Sequence, residues 1–207
     1  MARRRRHAPA QAHTEEARQR VAIEAARLMS EGGLRDYRHA KLKAAGRLGI
    51  TDESFLPPNQ AIEDALREHQ RLFGSGHAAT LRALRGTAAE AMAFFGEHEP
   101  RLVGAVLDGT ADEHSAVCLH LYTEHPEAVL DLLGRHRIPY EELDRRLRLD
   151  RQRSDDCPAL RFQAGAATVD ITLLPYDRLR QAPLDRVTGR PMRRAGLAAV
   201  RALLAED

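Results

Sequence analysis

The stretch Val106-Leu107-Asp108-Gly109-Thr110-Ala111-Asp112-Glu113-His114-Ser115-Ala116-Val117-Cys118-Leu119-His120-Leu121 decides how this chain is read. Leu102 to Leu107 is a short, nearly continuous apolar run, which suits a strand buried on both faces. Gly109-Thr110 ends it, a five-residue link closes on Ser115, and a second strand covers Ala116 to Tyr122. In that strand Val117, Leu119 and Leu121 face one way, and Ala116, Cys118, His120 and Tyr122 the other.

Downstream, Pro126 opens a helix carrying Ala128, Val129, Leu132 and Leu133. Leu143, Leu147 and Leu149 then alternate with Asp144, Arg146, Arg148 and Asp150, which predicts a third strand. Leu160 to Ala164 and Thr168 to Leu174 flank Gly165 as a hairpin, with Asp170 between Thr168 and Thr172 on the polar side of the last strand. A loop with Pro183, Gly189 and Pro191 leads to a final helix over about 193–204. Upstream the periods are helical. Thr14 with Glu15 and Glu16 caps a first helix that Gly32-Gly33 stops. Helices over about 36–47, from 59, and over about 77–95 follow, each with one apolar stripe that reads first as a core face. Helices followed by a mixed sheet make the fold class α+β. The expected organisation is a basic disordered arm over 1–13, a helical region over 14–98 and a sheet region over 99–207.

The 207 residues are 43% hydrophobic and 30% charged, with two cysteines and no tryptophan. That excludes a collagen, a coiled-coil rod and a disulfide scaffold. No apolar run nears the roughly 18–20 residues of a membrane span, so no membrane partner is expected. Arg3 to Arg6 lead into His-Ala-Pro-Ala-Gln and not into an apolar segment, so a secretory leader is not expected, and Cys118 and Cys157 read as free thiols of a cytoplasmic protein. Net charge is +2 overall, but +7 over residues 1–50, −4 over 51–99 and −1 over 100–207. The basic start suits either a solvated tail or nonspecific contact with nucleic acid through Arg3, Arg4, Arg5 and Arg6. Two helices around Gly32-Gly33, with Arg35, Arg38, Lys41, Lys43 and Arg47 near the second, also fit a helix-turn-helix in outline. Their cations suit phosphates better than base edges.

Walker A, Rossmann, Cys-x-x-Cys and Gly-x-Ser-x-Gly patterns are all lacking in this sequence, which lowers the odds of the commonest ATP, dinucleotide, zinc-ribbon and serine-hydrolase chemistries. What remains, over about residues 101–174, resembles the polymerase-beta-like nucleotidyltransferase superfamily. In that superfamily a strand ends in Gly-Ser, a short helix starts, and a Ser precedes a strand carrying Asp-x-Asp. Glycine admits a phosphate, the hydroxyl binds its oxygens, and paired carboxylates hold Mg²⁺ with a third acid from a later strand. The resemblance implies a sheet of nucleotidyltransferase-like topology over 99–207. It matches Gly109 and Thr110 to the Gly-Ser, Ser115 to the Ser before the acidic strand, and Asp170 to the third carboxylate. Ala116 and Cys118 stand at the two Asp positions. The family activity, moving a nucleotidyl group from a nucleoside triphosphate to an acceptor, therefore loses two of its three metal ligands. The chain also resembles a group of bacterial proteins often labelled UDP-N-acetylmuramate–alanine ligase; such a ligase has three domains and a Gly-Lys-Thr/Ser loop, and this sequence is short and has neither.

Three functional expectations follow. The first is a nucleotidyltransferase-like protein that no longer transfers, and binds a nucleotide or phosphorylated small molecule around Gly109, Thr110, Ser115 and Asp170, or serves as a scaffold. Arg190 and Arg193, in the arginine-rich loop before the last helix, are second-choice contacts for a phosphate. The second is a nucleic-acid-associated regulator using the basic N-terminus. The third is an active enzyme with a rebuilt metal site at Cys118 and His120, which sit two apart on one strand face; Asp170, His114 and His125 are further candidates for it. No cofactor is expected, and Mg²⁺ only if the site is rebuilt.

Overall fold

The computed structural model describes residues 8–32, 34, 36–73, 76–150, 152–185 and 188–206. The chain divides into two compact units, Met1–Ser75 and Gly76–Asp207.

In the first unit three helices, α1 (Ala8–Gly32), α2 (Tyr37–Arg47) and α3 (Asn59–Phe73), enclose a core rich in alanine. Ala22, Ala25, Ala26, Ala40 and Ala44 are wholly buried, so the helices approach closely around Val21 and Ile62. Asp36 caps α2 by accepting from the His39 N–H at 2.6 Å. Helix α1 begins at Ala8, not at a Thr14 cap, so the arm expected over 1–13 is helical from residue 8. Arg3, Arg4, Arg5 and Arg6 lie outside the described residues. The basic set near α2 is partly committed within the unit: Arg47 pairs with Glu24 of α1 at 3.1 Å, and Arg35 lies outside the described residues.

The second unit is α+β. It begins with α4 (His77–Phe94), the helix expected to belong with the N-terminal ones, and continues through β1 (Arg101–Val103), α5 (Ala105–Asp108), β2 (Val117–Tyr122) and α6 (Pro126–Arg135). β3 (Tyr140–Arg148), β4 (Ser154–Ala164), β5 (Ala167–Leu174) and α7 (Leu197–Glu206) complete it. The five strands form one sheet in the order β1-β2-β5-β4-β3. β2 and β5 run parallel and the other three pairs are antiparallel.

Alternation sorts the sheet into two faces. Val117, Leu119, Leu121, Val169, Ile171, Leu173, Leu160 and Phe162 turn to one side. They join Leu84, Ala88 and Met92 of α4, Val129 and Leu133 of α6 and Val200 of α7 in the main core. The opposite face carries Cys118, His120, Asp170, Thr172, Arg161 and Arg145, which register brings side by side.

The strand expected from Leu102 to Leu107 stops at Val103. Gly104 turns the chain at φ 74° and ψ −155°, and the apolar run beyond it becomes α5, burying Val106 and Leu107. A four-residue helix and a doubly buried strand share one composition, and only the backbone turn separates them. The last helix starts at Leu197 rather than near residue 193, because Ala195 is drawn into an antiparallel bridge with Leu102.

A Cβ added at Gly104 would stand 4.0 Å from the Cys118 Cβ, an ordinary contact, so the strain of Gly104→Ala is conformational. That substitution is expected to destabilise the protein by about 1–3 kcal/mol in urea unfolding. Gly86→Ala in α4, where the new methyl meets nothing within 4 Å, is expected to stabilise it by about 0.5–1 kcal/mol.

Candidate functional site

Asp170 is the centre of the polar face. Its neighbour across the parallel pair is Cys118, and across the antiparallel pair Arg161. It is 4% exposed, and a carboxylate that deep requires compensating charge. Two guanidinium groups supply it. Arg145 Nη2 donates to Oδ2 at 2.8 Å and lies 2.7 Å from Oδ1; Arg161 Nη2 donates to Oδ2 at 3.1 Å. Oδ2 takes both bonds, while Oδ1 has charge beside it but no aligned hydrogen bond.

Arg145 belongs to β3, two strands from β5, about 10 Å away at the usual strand spacing. Its side chain spans β4 at Cys157, its register partner, and Ala159, both small and buried. Bulkier side chains there would block the reach. Arg145 shares a face with Leu143 and Leu147. A cation on the leucine side of an alternating strand was the sequence signal for this partner, and the expected pattern of Leu143, Leu147 and Leu149 against Asp144, Arg146 and Arg148 passes over it. Nothing local in sequence pairs Arg161 with Asp170; the hairpin register does.

Beside this cluster lies a cleft of about 400 Å³. Cys118 and His120 of β2 and Thr172 of β5 line its floor, Arg145, Leu147 and Arg148 of β3 one side, and Val103 and Gly104 the rim. The segment between β5 and α7 contributes Leu184, Asp185 and Met192. That segment is fixed at both ends: the Leu184 N–H donates to the Arg148 carbonyl, and Ala195 and Leu102 exchange two backbone bonds of 2.8 and 3.0 Å. Between them Arg194 donates to the buried Tyr122 hydroxyl at 2.7 Å and to the Arg178 and Leu179 carbonyls at 3.2 Å, with its guanidinium over the Tyr122 ring.

His120 is 2% exposed, and its Nδ1 has no hydrogen-bond partner among the described residues. Burial first, and then the Arg194 and Arg145 cations, lower its pKa to about 4, so the imidazole is neutral at pH 7. Burial, aided by the Asp170 charge, raises the Cys118 thiol, which stays protonated. A neutral thiol is a poor nucleophile and a poor metal ligand.

The residues expected to form the site are only partly gathered. Asp170, Cys118 and His120 share the face. Gly109 does not end a strand; it closes α5 at φ 79°, near Leu81 and Arg85 of α4, and Gly104 takes the rim of the cleft instead. The Thr110 N–H continues that turn by donating to the Ala105 carbonyl. Ser115 is buried in a local turn, its Oγ donating to Asp112 Oδ1 at 2.9 Å and accepting from the Asp112 N–H. Arg193 pairs with Asp108 at 3.0 Å, and neither Arg190 nor Arg193 lines the cleft. Arg194, the neighbour of Arg193, is the one that turns inward. His114 and His125 are exposed.

Mg²⁺ does not fit these residues: among the described residues Asp170 is the one buried acid on this face and it already carries two guanidinium groups, one of which also meets the exposed Glu141 at 3.7 Å. Among the described residues no group of three or more His, Cys, Asp or Glu is placed to hold a metal ion, and no helix is long and apolar enough to cross a membrane.

Removing the charge by Asp170→Asn leaves Arg145 and Arg161 facing an amide and is expected to cost about 2 kcal/mol in urea unfolding. For His120, the unfolded chain takes up a proton near pH 6.5 and the folded chain only near 4. Between these values the unfolded state binds more protons, so stability falls as pH drops, by up to about 1.4 kcal/mol per pH unit. A His120→Asn variant is expected to show a shallower fall over that window. No family model matches this chain, and neither a curated protein nor a solved structure matches it.

Proposed function

We propose that this chain is a nucleotidyltransferase-like protein that no longer transfers and instead binds a nucleotide or phosphorylated ligand in the cleft beside Asp170. The observation that carries the reading is the register of Cys118 against Asp170 on one face of a parallel strand pair. A strand meant for paired acids and a later strand bearing a third acid need that adjacency, because metal ligands must converge within a few ångström. A second support is the strand, glycine, short helix order of β1, Gly104 and α5, followed by Ser115 and β2. In that order the glycine that admits a phosphate is Gly104, five residues before the Gly109 expected from sequence.

The chemistry has changed sign at this face. Where the superfamily pattern calls for acids and divalent cations, Arg145 and Arg161 bring fixed positive charge to Asp170. A guanidinium can bind a phosphate in a two-pronged contact but cannot activate an attacking hydroxyl as a metal does. Binding survives such an exchange and transfer does not.

Calorimetric titration of the full chain with ATP, GTP, CTP and UTP tests this. The expected result is a binding heat with at least one of them, retained in EDTA, and no pyrophosphate release in the presence of Mg²⁺. No heat with any of them, in a sample with a cooperative unfolding transition, overturns it.

A further inference from the structure

We infer, resting on the nucleotide-binding reading above, that the cleft holds the nucleoside end of its ligand. A nucleobase stands on the floor with its edge against His120 and Thr172, and the phosphates stay at the Gly104 rim.

Charge decides which end enters. Arg145 is committed to Asp170 at 2.7 Å, and Asp185 adds a negative group from the segment before α7. Arg148 borders the cleft, but strand alternation carries its side chain to the face opposite that of Arg145, and its Nε donates to the Asp150 carbonyl at 3.1 Å. Among the described residues the lining therefore holds no surplus of positive charge. A phosphate drawn inside would give up its water without a cation in exchange. Gly104 is half-buried at the rim, where a phosphate can approach bare backbone and stay hydrated. A Cβ at Gly104 would stand 4.0 Å from that of Cys118, and His120 lies two residues further along β2. That puts the floor about 7 Å from the rim, a gap that a ribose spans.

Polarity decides what stands on the floor. His120 is 2% exposed, and its Nδ1 has no partner among the described residues. Thr172, its register partner on β5, is 1% exposed and lines the same floor. A buried polar atom left without a partner is costly, and a polar edge on the ligand removes that cost. Because the imidazole is neutral at pH 7, one ring nitrogen donates and the other accepts, and the threonine hydroxyl does either. A nucleobase presents donors and acceptors along its edge and apolar faces on either side. Leu147, Leu184 and Met192 supply apolar surface for those faces. The volume of about 400 Å³ lies near the lower end of the roughly 300–1,000 Å³ of small-molecule sites, which suits one nucleoside. A sugar phosphate alone would leave His120 unmet and the apolar side uncovered.

The test is equilibrium dialysis of the full chain against adenosine, guanosine, cytidine and uridine, their four triphosphates, and ribose 5-phosphate, which lacks the base. The expected result is that at least one nucleoside binds, that the nucleosides follow the order of preference of their triphosphates, and that ribose 5-phosphate does not bind. Thr172→Val keeps the shape of the side chain and removes its hydroxyl, and Met192→Trp fills the cleft from the segment before α7. In samples that keep the wild-type unfolding transition, Thr172→Val is expected to weaken the preferred nucleoside by roughly fivefold, the worth of one hydrogen bond, and Met192→Trp to abolish its binding. Triphosphates that bind while no nucleoside does, or ribose 5-phosphate that binds as tightly as they do, overturn the inference and leave the nucleotide-binding reading standing. Nucleoside binding that neither substitution changes overturns the placement on this floor. Nucleosides that bind where no triphosphate does overturn the nucleotide reading and the phosphates at Gly104, and keep the base on the floor. If neither kind binds, both readings fall together.

Discussion

A carboxylate buried in the middle of a sheet has to be answered by charge, and the answer to Asp170 organises one whole face of this protein. Arg161 comes from the adjacent strand and Arg145 from the strand beyond it, so three of the five strands are tied at one point. On β4, the residues of this face opposite Arg145 and Leu143, Cys157 and Ala159, are small and buried. Breaking such a pair by removing one member leaves the other charge buried or stranded, which makes the arrangement self-enforcing once formed. The cleft lies on the same face, with Arg145 in its lining.

On the proposed reading, the same arrangement suits binding and not metal-dependent transfer. Two acids spaced i and i+2 on a strand project to one side and share a divalent ion with a third; an alanine and a protonated thiol in those places share nothing. What the face holds instead is guanidinium groups, a neutral imidazole and a hydroxyl. The neutrality of His120 is part of that set. Arg145 and Arg194 both disfavour a third positive charge beside them, and burial adds to the penalty.

The C-terminal segment supplies the remaining wall and shows how a sheet edge is closed without another strand. β1 is three residues long, and its outer side is taken up by Ala195 in a single bridge. An edge so short and so capped offers little template for pairing with another chain. Arg194 fastens the same segment from beneath, through the Tyr122 hydroxyl and two carbonyls, so its charge is spent on backbone and phenol rather than on a ligand.

Local pattern was enough to place the longer helices, though not the starts of α1 and α7, and most strands. Alternation in 117–122 and 168–174 separates core from polar face because the side-chain period of a strand is fixed at two, and the α+β order follows from where helical spacing gives way to it. Asp170 is legible in the same way, as the acid between two threonines on the polar side. Pattern failed where one composition serves two conformations, at Leu102 to Leu107, and where a residue's role depends on what folds onto it. Ser115 and Gly109 have the right types for a phosphate loop, yet one is turned into its own turn and the other closes a helix. The sequence by itself determined the faces and the chemistry each residue can perform. Only the tertiary structure decided that Arg145 and Arg161 answer Asp170 and that Gly104 borders the cleft, because register across non-neighbouring segments and the backbone angles of one glycine are set by packing and not by local spacing.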